Sequence, residues 1–217
     1  IAAGAMQRYL GLSPYNLAGV VKTTDYAGAA ARLKEWLRQG ALRPDPAPAI
    51  YPYFQKYRLA GAAREFVRKG FMAAGRLEDY AAGVVFPHEQ TLAGPKQDRL
   101  ELLRATRVHF GQLFMLYSDP AGEVDRLLEV AAAAEPIAQV QDEYGADHTV
   151  WRLEEPAGID AVRRAMSDKK LLIADGHHRY ETALAFREEC RRSALHRSGG
   201  RCEAVMMTFV SMEAPGL

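Results

Sequence analysis

Leu171-Leu172-Ile173-Ala174-Asp175-Gly176-His177-His178-Arg179-Tyr180 joins four apolar residues to an Asp-Gly turn and then to a run compatible with a helix. The apolar block predicts a short buried strand over Leu171 to Ala174. His178 to Cys190, with Ala183, Leu184 and Phe186, predicts the helix that follows. A strand passing through glycine into a helix is the unit from which layered α/β proteins are built. The flanking segments extend this pattern. Ala204 to Val210 predicts a strong strand, Gly158 to Met166 a short helix and His148 to Leu153 another strand. Gly122 to Ala134 predicts a helix ended by Pro136, and Phe110 to Tyr117 a strand. Pro95 to His109 predicts an amphipathic helix whose first position suits proline. Ala81 to Phe86 and Ile50 to Tyr57 predict strands, with Pro52 arguing for an edge or an irregular start. Asp25 to Gln39 predicts a helix capped by Asp25 and stopped by Gly40, before the stiff connector Pro44 to Pro48. The expected fold is therefore α/β, a mixed sheet with packed helices.

Residues 1–217 are expected to be a fragment of a longer domain, with a subdivision near 136–147. The chain begins at Ile1 and ends directly after a strand-like run. Apolar residues make up 48% and charged residues 25%, with a formal net charge of +1, which gives no strong nucleic-acid signal. No apolar run is long enough to span a bilayer and no secretory leader is visible, so a cytoplasmic location is expected. The sequence is compatible with a homo-oligomer. Cys190 and Cys202 read as two free thiols in a reducing compartment, and two cysteines exclude a four-thiolate metal site within one chain.

The turn at Gly176 is the principal site candidate. Glycine lets backbone approach a ligand, and the free amides of the following helical turn attract anions. Arg179 can clamp phosphate oxygens, His177 and His178 offer donors, acceptors or metal ligands, and Asp175 can cap the helix, orient a histidine or hold Mg²⁺. The plain alternative is a structural turn. Neither a dinucleotide fingerprint nor a Walker phosphate loop is present. A second constellation runs from Pro87 to Arg99, where His88-Glu89 precedes a helix carrying Lys96 and Arg99. Its carboxylate can deprotonate a hydroxyl while the cations stabilise transferred phosphate; its plain reading is a solvated loop. Leu92 stands where a zinc protease would close its motif with histidine, and no Gly-x-Ser-x-Gly turn occurs. Sequence separation gives no sign that His88 meets His177 or His178 as metal ligands. Tyr51 to Arg58 is aromatic-rich, with Lys56 and Arg58 set among Phe54 and Tyr57, which suits core packing better than base stacking.

These motifs resemble the family catalogued as domain of unknown function 1015. The resemblance is carried by Ser13-Pro14-Tyr15-Asn16, Tyr53 to Arg58, Pro87-His88-Glu89-Gln90-Thr91, Gly94 to Arg99 and Ile173 to Ala183. A more distant similarity is to the ParB and sulfiredoxin superfamily and its archaeal free-serine kinases. That similarity implies a nucleotide-binding portion in which Gly176 and the amides of His177 and His178 face phosphates. Arg179 would bind those phosphates, and Asp175 would organise the site or Mg²⁺. Sulfiredoxin has its reactive cysteine where His177 stands, so its redox reaction is disfavoured.

The functional expectation is a phosphotransferase that uses ATP or ADP with Mg²⁺ on a small hydroxylated metabolite such as serine. Glu89 is the expected base, with Glu181 or a residue of an absent segment as substitutes. His88 and Lys96 are its catalytic companions, and Asp175, Gly176, His177, His178, Arg179 and Arg99 the nucleotide-binding set. The rivals are a non-catalytic nucleotide-binding sensor and a structural partner domain.

Overall fold

A computed structural model describes residues 3–59, 61, 64–88, 94–193, 200–215 and 217. Its strands are Tyr51–Tyr57 (β1), Phe66–Arg76 (β2), Val85–Pro87 (β3), Leu113–Tyr117 (β4), Ala138–Gln141 (β5), Asp147–Val150 (β6), Leu171–Asp175 (β7) and Ala204–Ser211 (β8). The α-helices are Ala3–Leu12 (α1), Ala18–Val21 (α2), Tyr26–Arg38 (α3), Gly94–Thr106 (α4), Glu123–Ala131 (α5), Pro156–Ala165 (α6) and His177–Arg192 (α7). All strands join one eight-stranded sheet in the order β3-β7-β4-β8-β2-β1-β6-β5. The β3–β7 and β4–β8 pairs are parallel and the others antiparallel, so the sheet is mixed, as expected.

Alternation along β4 explains the main core. Leu113, Met115 and Tyr117 are buried while the residues between them are half-buried. They pack with Phe71, Ile173, Met207 and Phe209 of neighbouring strands. Val124 and Leu128 of α5, Val162 and Ala165 of α6, and Tyr180 and Ala183 of α7 join the same cluster. Truncating a buried side chain of this size, such as Met115→Ala, removes about 2–5 kcal/mol. Two smaller clusters bind α2, α3 and α4. Val20, Leu33 and Trp36 pack against Leu102 of α4, and Leu103 packs against Phe186 and Cys190 of α7.

Several boundaries differ from the sequence expectations for local reasons. The Ala81 to Phe86 strand is preceded by a 3-10 turn, Tyr80–Ala82, and Gly83 at φ 66° delays extension until Val85. The strand expected from Phe110 begins at Leu113. β1 is an interior strand, not an edge. Pro52 is tolerated because its ladder with β6 begins only at Tyr53; beyond that ladder the Pro52 carbonyl accepts the Trp151 N–H at 2.9 Å. The sequence does not anticipate β2, β5, α1 or α2. Residues 138–150 form the β5–β6 hairpin at one end of the sheet.

The expectation of two free thiols is corrected: Cys190 and Cys202 form a disulfide. The last turns of α7 and a 3-10 turn, Arg201–Glu203, bring their Cα atoms to 6.5 Å, within bridging distance. Among the described residues no helix is long and apolar enough to cross a membrane.

Candidate functional site

β7 leaves the sheet at Asp175, and the chain reverses into α7 through Gly176 at φ 99°, a left-handed conformation that favours glycine. Its N-cap, Gly176, has no side chain to cap α7, and the first-turn amides of such a helix point at acceptors outside it. Tyr180 anchors this turn. Its hydroxyl donates to the Glu78 carbonyl at 2.7 Å and accepts the Glu78 N–H at 3.0 Å.

The parallel β3–β7 pairing, with Pro87 opposite Ile173, brings the carboxyl ends of both strands together. His88 of the second constellation therefore meets the first. The His88 N–H donates to His177 Nε2 at 3.1 Å, and His88 Nδ1 lies 2.5 Å from the Ile173 carbonyl. Their rings meet edge to face, with centroids 4.3 Å apart. A carbonyl only accepts, so His88 carries its proton on Nδ1; His177 Nε2, as an acceptor, carries none. The buried His177 ring thus latches β3 to the start of α7. His178 is half-buried, and its Nδ1 is buried without a partner among the described residues.

Arg179 lies across two glycines. A Cβ on Gly111 would come within 2.8 Å of Arg179 Cδ and 2.9 Å of Nη1, and one on Gly176 within 2.9 Å of Nε and Nη2. The guanidinium pairs with Asp175 at 2.5 Å, one turn away, while Nε is buried without a partner among the described residues. Arg179 also lines a cavity of about 260 Å³ together with Lys22, Arg99, His109 and Gly111. Among the described residues no carboxylate lines it. Burial lowers the His109 pKa below its ordinary 6.5, so the cavity's positive charge comes from the lysine and the two arginines. Among the described residues neither Lys22 nor Arg99 has an ion-pair partner.

The structure thus joins Arg99 with Arg179 in one cavity and His88 with His177 in one latch. Glu89 and the side chain of Lys96 lie outside the described residues. Asp175 is exposed and engaged by Arg179. Among the described residues no group of three His, Cys, Asp or Glu side chains is placed to hold a metal ion. Lys22 and Gly111 were missed by sequence reasoning. A glycine at the start of an expected strand is the one signal that pointed to close packing at 111; Lys22, after a four-residue helix, had none.

No curated protein and no solved structure matches the chain. The family model described as "Protein of unknown function (DUF1015)" matches residues 11–217, and the chain belongs to that family.

Proposed function

We propose that the protein is a nucleotide-dependent phosphotransferase acting on a small hydroxylated metabolite, with serine the first acceptor to test. The observation that carries this reading is the cavity beside α7, lined by Lys22, Arg99 and Arg179 and, among the described residues, by no carboxylate. Three cations converging on a concave surface suit the phosphates of ATP or ADP better than a neutral ligand. Arg179 has a buried Nε without a partner among the described residues, a donor that a phosphate oxygen would satisfy.

Asp175 is a single carboxylate and no ligand group of three surrounds it, so a resident metal site does not fit the described residues. Mg²⁺ arriving on the nucleotide needs only one or two protein carboxylates, and Asp175 fits that role. On this reading Arg179, Arg99 and Lys22 bind and orient phosphate oxygens. The His88–His177 latch sets the angle at which α7 meets them, and Glu89 accepts the acceptor hydroxyl proton. This division follows phosphoryl-transfer chemistry, which depends on positioning and charge. A ParB/sulfiredoxin-like nucleotide-binding portion, of the kind the free-serine kinases carry, is part of the same proposal.

The carboxylate-free lining also favours a second reading, a nucleotide-binding sensor without transfer. Incubating the protein with Mg²⁺, ATP or ADP and hydroxylated metabolites separates the two. Phosphorylated product, lost in Glu89→Gln with nucleotide binding retained, is the expected result. Saturable binding without product selects the sensor, and absence of nucleotide affinity rejects both.

A further inference from the structure

A second cavity, of about 220 Å³, lies on the sheet itself and is lined by Tyr53, Gln55, Arg68, Gln112, Phe114 and Thr208 among others. Strand register puts these on one face: Gln55 is opposite Arg68, Tyr53 opposite Gly70, Gly70 opposite Val210, and Phe114 beside Thr208. Met115, Phe71 and Phe209, which pack with α5, α6 and α7, belong to the alternate positions and so to the other face.

Two features make this more than a polar depression. Arg68 is held in place: it donates to Gln55 Oε1 at 3.2 Å and to the Tyr57 hydroxyl at 3.3 Å, and lies 5.2 Å from the Tyr57 ring centroid and 5.8 Å from that of Phe114. Tyr53 ends a chain of polar contacts. Its hydroxyl is 2.6 Å from His148 Nδ1, and His148 Nε2 is 3.0 Å from Asp142 Oδ2. The other Asp142 oxygen accepts the N–H groups of Tyr144 and Ala146 at 2.9 Å, fixing the carboxylate. As the neutral Nε2–H tautomer, His148 donates to Asp142 and accepts the Tyr53 proton at Nδ1, which leaves the Tyr53 lone pairs to accept from the cavity.

We propose that this cavity binds a small hydroxycarboxylic acid, its carboxylate on Arg68 and its hydroxyl donating to Tyr53. An anion-binding group and a pre-set acceptor in one cavity call for a ligand with a carboxylate and an O–H donor. An amino acid is the poorer match, because among the described residues lining the cavity there is no carboxylate to hold an ammonium. The volume, roughly that of seven waters, admits a molecule of lactate or malate size. The site does not depend on the phosphotransfer reading.

Calorimetric titration of the whole chain with glycolate, L-lactate and L-malate tests it, with L-alanine, glycerol and inorganic phosphate as controls. Saturable binding of a hydroxy acid is expected, weakened about tenfold by Arg68→Gln and about threefold by Tyr53→Phe. The proposal is overturned if no hydroxy acid binds at millimolar concentration, if alanine or phosphate binds as tightly, or if folded Arg68→Gln binds normally. Should Arg68→Gln fail to fold, normal affinity in Tyr53→Phe overturns it equally.

Discussion

Adding one methyl group at Gly111 tests the placement of Arg179 directly. All three atoms nearest a Cβ there belong to Arg179, at 2.8, 2.9 and 3.4 Å. Gly111 has no left-handed φ, so Gly111→Ala acts through contact and not through backbone strain. Overpacking of this kind costs about 1–3 kcal/mol, unless Arg179 swings away from the cavity and relieves it. Both responses can be read. Urea denaturation should show the stability loss, and ATP titration at fixed ionic strength should show affinity falling about tenfold, the lower end for a lost hydrogen bond to a charged group. The decisive comparison is the double-mutant cycle. In Arg179→Ala the clashing atoms are gone, so Gly111→Ala should then have little effect on either quantity, a coupling of about 1–3 kcal/mol. Equal losses in both backgrounds would refute the packing of Arg179 against Gly111. The stability half of the cycle holds whatever ligand the cavity takes.

Three further outcomes are expected. His177→Ala leaves the His88 N–H without its acceptor and should lower stability by about 2 kcal/mol in urea denaturation; a loss below about 0.5 kcal/mol would show that the latch is dispensable. Glu213 accepts from the Asp119 N–H and from the hydroxyls of Ser118 and Ser211, which lowers its pKa from 4.5 to about 2. Its contribution is thus present above pH 4.5 and lost as pH falls toward 2, and Glu213→Gln should flatten the pH dependence of the urea midpoint in that window. Reducing the Cys190–Cys202 bridge, whose separation is 12 residues, should lower stability by ~3 kcal/mol on loop-closure grounds, and an unchanged melting temperature under reductant would argue against the bridge.

The β7–α7 unit was legible because its signals are local: an apolar block, a glycine and a helix-forming run. β2 was not, because Phe66–Arg76 carries Gly70, Gly75 and two alanines, poor strand formers by composition. It is a strand because β1 and β8 pair with it on both sides, and Gly70 fits where a Cβ would strike the Phe209 backbone. β5 is short and exposed along its whole length, so no apolar alternation marks it. Arg99, Arg179 and His88 were named from residue chemistry alone. That His88 meets His177 follows from strand pairing across 89 positions, which no local pattern encodes. The thiols were misread for the same reason: pairing depended on where α7 ends relative to the approach to β8.

Gly111 lines the cavity beside α7, and Gln112, the next residue, lines the cavity on the sheet. Thr208 holds Gln112 from β8 while Arg179 lies against Gly111, so the entry to β4 is a partition with a different chamber on each side. A displacement of that segment that widens one chamber alters the wall of the other. If occupants of the two chambers sense each other at all, thermodynamic linkage makes the factor identical in both directions. The two affinities are then halves of one measurement, and each titration belongs in both the presence and the absence of the other ligand.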